Sequence, residues 1–281
     1  MPIYEQSYRR YEARAALRRV RFWPITREAL RLVLVKRAFL GLLMLAWVPF
    51  LVRVVQVYVV TRFPEAGRIL PIDGTLFGDF LRQQTLFTLL LTVFAGSGLV
   101  ANDLRTGGIL VYLSRALTRR DYVIGKLSVL LAVNLGVTLL PGLLLYVLAL
   151  SLAPDQFLKA SLGWIGPMIL VQSLVISLAT SLIGLAVSSL AKSARIAGIG
   201  FLVLMVGTEV VHDIVRAVSN RPESVLLSPR GCMAALGNAM FGIRDRAFDV
   251  PWAQPALMLV FVCLGCLAIL RSRVRAVEIV R

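Results

Sequence analysis

The chain has 281 residues, 58% of them apolar and only 16% charged, with a mean hydropathy of +0.80. A water-soluble domain is about half apolar and a quarter charged, and here the apolar residues fall in blocks of about 20, the length a helix needs to cross hydrocarbon. An ordinary soluble enzyme is thereby excluded. So is a nucleic-acid binder: the net charge of +16 sits mostly between apolar blocks, where basic residues set topology and meet anionic lipid, and no recognition motif accompanies it.

Residues 1–37 carry ten basic residues with aromatics interleaved. No short apolar core ends there in a small-residue cleavage site, so the first apolar block is expected to be a retained span rather than a signal peptide. The stretch from Ile25 to Arg37 mixes apolar residues with Arg27, Arg31, Lys36 and Arg37, as an amphipathic interfacial helix does, and Pro24 suits its first turn. A basic tail on lipid headgroups and a docking helix for a cytoplasmic partner both fit. Residues 38–281 then read as a transmembrane domain of six spans.

Span one is expected over Phe39–Val60. Arg53, about 22 Å along it, can snorkel to the outer headgroups; the alternative is a buried functional arginine, at an insertion cost of about 2.5–3.5 kcal/mol. A polar outer loop, 61–82, leads to span two, Gln83–Ala101, which ends in the small residues Ala95-Gly96-Ser97-Gly98. After a cytoplasmic segment comes span three, Tyr122–Leu150, with Asn134 mid-span and a kink expected at Pro141-Gly142. Span four, Trp164–Leu190, carries Thr180, Gly184 and Ser188 four apart, a stripe for close helix packing. Span five is Ile196–Val215. A long outer segment, 216–252, precedes span six, Trp252–Leu270, and a basic tail.

With both termini placed inside, inner segments hold 21 basic residues and all other positions hold ten. That asymmetry favours cytoplasmic N- and C-termini.

The decisive segment lies between spans two and three. Residues 102–126 are polar at both ends and apolar at the centre, Ile109 to Leu113. A short amphipathic helix there would lie on the inner face and present its apolar side to a cleft on a soluble partner. Thr118 is placed to cap the next helix, with Asp121 three residues on as a capping-box acid.

This stretch resembles the cytoplasmic loop of ABC-2-type (type V) transporter permeases of the six-span bacterial kind. The resemblance rests on Asp103, Gly107-Gly108, Leu110–Leu113, Ser114-Arg115, Arg119-Arg120 and Gly125-Lys126, with Ala116 where a proline is common. It implies an all-α polytopic membrane protein of the bacterial cytoplasmic membrane, acting as the transmembrane permease subunit of an ATP-driven transporter. It further implies two copies of a separate ABC ATPase subunit, which carry the ATP and Mg, and a second permease chain to form a homodimer or heterodimer. The family's coupling helix maps to about Gly107–Leu117, so Gly107, Gly108, Leu110, Tyr112, Leu113, Arg115, Arg119 and Arg120 are the expected ATPase contacts. Its connecting helix maps to Ile25–Arg37. Read from the residues alone, no Gly-x-x-x-x-Gly-Lys-Ser/Thr phosphate cradle occurs, so no cofactor is expected in this chain and any ATP hydrolysis belongs to a partner.

Polar groups at membrane depth are functional candidates. Arg53, Asn134, Gln172, Glu209 and His212 are candidates for lining a path, although snorkelling, interhelical hydrogen bonding and solvated helix ends are the plainer account of them. Glu209, His212 and Asp213 form the one cluster on which a membrane-embedded enzyme or a secondary carrier would rest; a non-transporting anchor is a third reading. No catalytic or metal residue is assigned. Cys263 and Cys266 have metal spacing but read as small packing residues within an apolar helix.

Overall fold

A computed structural model describes residues 22–63, 72–108, 118–152, 163–219, 221–245, 248 and 250–273. The described residues are helical, with no strands, and six stretches are long and apolar enough to cross a membrane. The chain is an all-α polytopic membrane protein.

The helices are α1 (Trp23–Leu34), α2 (Arg37–Ala46), α3 (Val48–Arg62), α4 (Gly74–Arg105), α5 (Arg119–Val137), α6 (Leu139–Leu152), α7 (Ile165–Leu190), α8 (Ala194–Ser219), α9 (Pro229–Phe241) and α10 (Ala253–Arg273). α2–α3 form span one, α4 span two, α5–α6 span three, α7 span four, α8 span five and α10 span six. α1 starts with Pro24 in its first turn, as expected, and stops at Leu34. Its apolar stripe of Ile25, Ala29 and Val33 is buried against protein, while Arg27, Arg31, Lys36 and Arg37 are exposed.

The bundle is built on spans two and four, whose apolar windows are 61% and 67% buried, against 11% for span one. Small residues explain that centrality. At Gly184 on α7 a Cβ would lie 2.5 Å from the Thr92 methyl of α4, so the two backbones meet where only glycine fits. One turn on, the Ser188 hydroxyl donates to Ser97 O at 2.8 Å. The stripe of Thr180, Gly184 and Ser188 read from the sequence is this contact.

Two spans are broken. Span three bends at Thr138, three residues before the expected Pro141-Gly142. The reason is local: Pro141 has no N–H to donate to the carbonyl four residues back, at Val137, so the ladder opens there. Span one breaks at Trp47, just ahead of Pro49, and Gln84 of α4 donates to Ala46 O at 2.9 Å.

α4 begins at Gly74, nine residues before the expected start of span two at Gln83. Asp73 caps it, its carboxylate accepting from Thr75 N at 2.9 Å. The added turns carry Phe77, Phe80 and Leu81 into one apolar core with Ile165, Ile169 and Leu236. A second core, toward the opposite end of the bundle, gathers Phe39, Leu99, Val129, Leu130, Leu185 and Phe201. The segment between spans five and six holds the 3₁₀ turn Pro222–Leu227 and α9, capped by Ser228 and closed by Gly242 at φ +68°.

Candidate functional site

The loop between spans two and three begins where α4 ends. Gly107 turns the chain at φ +69°, a conformation open to glycine at little steric cost, and Gly108 is again helical. Thr118 is the N-cap of α5. There the Thr118 hydroxyl and the Asp121 carboxylate satisfy each other's backbone N–H groups, a complete capping box as expected.

These two roots are joined. Lys126 Nζ lies 2.8 Å from Asp103 Oδ2, with side-chain exposures of 7% and 20%. Tyr122 donates its hydroxyl to the same oxygen at 2.8 Å, and the Lys126 ammonium also stands over the Tyr122 ring. A cation this buried is tolerated because it is paired. Helix α1 closes the assembly: Thr26 donates to Gly125 O at 3.0 Å, and Gly125 is small because a Cβ there would press on Ile25 at 3.2 Å. The acid ending span two, the Gly-Lys pair opening span three and the helix before span one thus meet at one point.

A polar layer separates the two apolar cores at mid-bundle. The Asn134 carboxamide nitrogen donates to Thr92 Oγ1, Thr180 Oγ1 and Ser181 Oγ at 3.1–3.3 Å. Thr138 and Ser177 share a hydrogen bond at 3.3 Å. Asn134 is fully enclosed, and its Oδ1 has no partner among the described residues.

A third polar region lies at the other end of the bundle, a cavity of about 250 Å³ between α4, α7, α8 and α9. Arg230 pairs with Glu209 at 2.6 Å, both side chains 29% exposed. Arg82 faces Asp245 at 3.8 Å and stacks on Phe248. His212 is buried, with Nδ1 3.1 Å from Ser224 Oγ and Nε2 4.0 Å from Asp213. Gln172 also lines the cavity, donating to Met233 O at 2.8 Å.

The family model described as ABC-2 family transporter protein matches residues 24–270, which takes in the joined loop roots, the polar layer and all six spans. The chain belongs to this family. It is a membrane transport component of the ABC-transporter kind, and the family itself is not a catalytic enzyme family. No curated protein matches the chain.

In this permease Gly107, Gly108, Arg119 and Arg120 stand at the loop roots, and both arginines are exposed. Leu110, Tyr112, Leu113 and Arg115 lie outside the described residues. Gln172, Glu209 and His212 come together at this cavity. Asn134 is apart from them in the polar layer. Arg53 is apart as well, donating to Gln56 Oε1 at 2.8 Å on its own helix, in a recess shared with Asp79, Arg82 and Arg230. No group of three or more His, Cys, Asp and Glu able to hold a metal occurs among the described residues. Sequence reasoning missed the polar stripe of span two, although its spacing was there to be read: Gln84, Thr88 and Thr92 recur every four residues. It also missed Arg230, the partner of Glu209, because the two are brought together only by the fold.

Proposed function

We propose that this permease works as half of a dimeric transmembrane channel in the bacterial cytoplasmic membrane, driven by two copies of a separate ABC ATPase. The segment around Gly107–Leu117, flanked by the exposed Arg119 and Arg120, is its ATPase contact. ATP and Mg belong to that partner.

The observation that carries this reading is the Asp103–Lys126–Tyr122 cluster. It fixes both roots of the loop to each other and, through Gly125 and Thr26, to α1. A loop pinned at both roots transmits a push as a lever, whereas a loose loop absorbs it. Closure of the motors on ATP would move the ends of spans two and three together with α1, and the spans carry that shift to the polar layer. There a hydrogen-bonded set around Asn134, with acceptor capacity to spare, supplies contacts that can be exchanged between two packings. Alternating access then follows as a population shift between them. Arg53, Gln172, Glu209 and His212 are the side chains we assign to the path toward the outer face.

The reading as a membrane-embedded enzyme or secondary carrier on Glu209, His212 and Asp213 gains no support, because Glu209 is held by Arg230 and His212 by Ser224.

Co-purification in mild detergent tests the proposal. A soluble ATPase should accompany the permease in stoichiometric amount. Arg119→Glu with Arg120→Glu, combined with Leu110→Ser and Leu113→Ser, should release it while leaving the permease folded. Retention of the ATPase by that variant would refute the placement of the contact.

A further inference from the structure

Helices α5 and α10 both pack on α7 but barely touch each other. Between their ends on the loop side an open furrow of about 690 Å³ remains, within the range of ordinary ligand sites. Val123, Ile124, Leu267 and Leu270 form its wall, and Arg119, Arg120 and Arg271 stand at its rim. Ile124 and Leu267 are 43% and 41% exposed, so the wall is open to whatever surrounds the bundle. No acidic residue among the described residues lines the furrow. The neighbouring Asp121 is turned back onto Thr118 as its cap, and none of the three arginines is in an ion pair among the described residues.

The furrow lies at the ends of spans three and six, where apolar helix gives way to basic residues. At that depth the wall is solvated by acyl chains and the rim by headgroups. One occupant satisfies both, an amphiphile with an apolar tail and an anionic head. Guanidinium forks match phosphate oxygens in charge and geometry, and basic pockets between spans bind acidic lipid heads. A headgroup that also carries an ammonium would bring a cation into a rim of cations. A second copy of the chain fits poorly, because it would set arginine against arginine.

We infer that the furrow between α5 and α10 is a binding site for an anionic phospholipid. Arg119, Arg120 and Arg271 hold its phosphate, and one acyl chain lies along Val123, Ile124 and Leu267. The site needs only the membrane location of the chain. Arg119 and Arg120 also flank the proposed ATPase contact, so the test rests on Arg271 and Leu267, which lie outside it.

The test uses the full chain in detergent micelles, titrated with phosphatidylglycerol or phosphatidylcholine and examined by native mass spectrometry, together with a photoactivatable phosphatidylglycerol in vesicles. One phosphatidylglycerol per chain is expected to be retained in preference to phosphatidylcholine by about five-fold or more. Arg271→Gln, which removes a rim charge, and Leu267→Trp, which fills the wall, should each reduce that preference to about two-fold or less. The photolabel should map to 118–124 and 267–271, and ATPase co-purification should be unchanged in both variants. Equal retention of the two lipids, a preference that survives Arg271→Gln, or label confined to the basic N-terminal segment would each overturn the assignment.

Discussion

The Asp103 carboxylate is the residue on which the assembly at the loop roots turns. It accepts from Lys126 and from Tyr122, both almost fully buried. Asp103→Asn should leave a buried ammonium without its counter-charge and cost about 3 kcal/mol, read as a lowered midpoint in thermal unfolding. Adding Lys126→Met, which removes the orphaned charge, should return part of that loss, and strict additivity of the two changes would contradict direct coupling. Asp103, Gly107, Gly125 and Lys126 were legible in the sequence as spaced motif residues. That Asp103 and Lys126 touch was not, since a fold must bring together two helix ends 23 positions apart. Thr26, which ties α1 to Gly125, carries no pattern by which it could be singled out. A second prediction concerns Cys232, on α9 and outside the six spans. Burial pushes its thiol from an ordinary 9.0 up to about 12. The folded state therefore keeps a proton that the unfolded chain releases above pH 9. This contribution to stability is complete below pH 9 and is lost as the pH rises through about 12. At pH 8 maleimide should reach Cys232 only on unfolding. Prompt labelling of Cys232 in the native protein would show that α9 is not packed as described.

At the scale of helices, the bundle is decided by where backbones can approach. The α4–α7 contact depends on Gly184, and its stripe was readable because small residues recur at the helical repeat. Gly184→Ala places a methyl into Thr92, and the overpacking should cost about 1–3 kcal/mol; Thr92→Ser, which removes the opposing methyl, should relieve it. Failure of Thr92→Ser to relieve the loss would separate the defect from this contact. The broken spans were half legible. Proline marked the bend in span three, but the bend falls where the missing hydrogen bond is, ahead of the proline itself. The first nine residues of α4 were hidden because Asp79 and Arg82 give the stretch a polar look, while Phe77, Phe80 and Leu81 keep a helical period inward. The segment between spans five and six could be recognised as a long connection. Its docking onto spans two, four and six could not, because long-range packing leaves little trace in one local pattern.

For the whole molecule, two apolar cores flank a polar layer, across which the proposed function has the two halves shift against each other. Hydrogen bonds among hydroxyls and carboxamides are individually weak at membrane depth, about 0.6 kcal/mol on average, and so can be exchanged. The apolar cores hold each half together while that happens. Six spans, family and loop position were legible from hydropathy, charge asymmetry and one motif of about 25 residues. The polar cavity was legible only as the scattered residues Gln172, Glu209 and His212. The measurement that bears most directly on the coupling reading is disulfide cross-linking in native membranes. Leu113→Cys should form a reducible adduct with a cysteine placed in the cleft of the partner ATPase, and Tyr58→Cys, near the opposite end of span one, should not. Labelling of Leu113→Cys by a membrane-impermeant maleimide added from outside the cell, with no ATPase adduct, would contradict it.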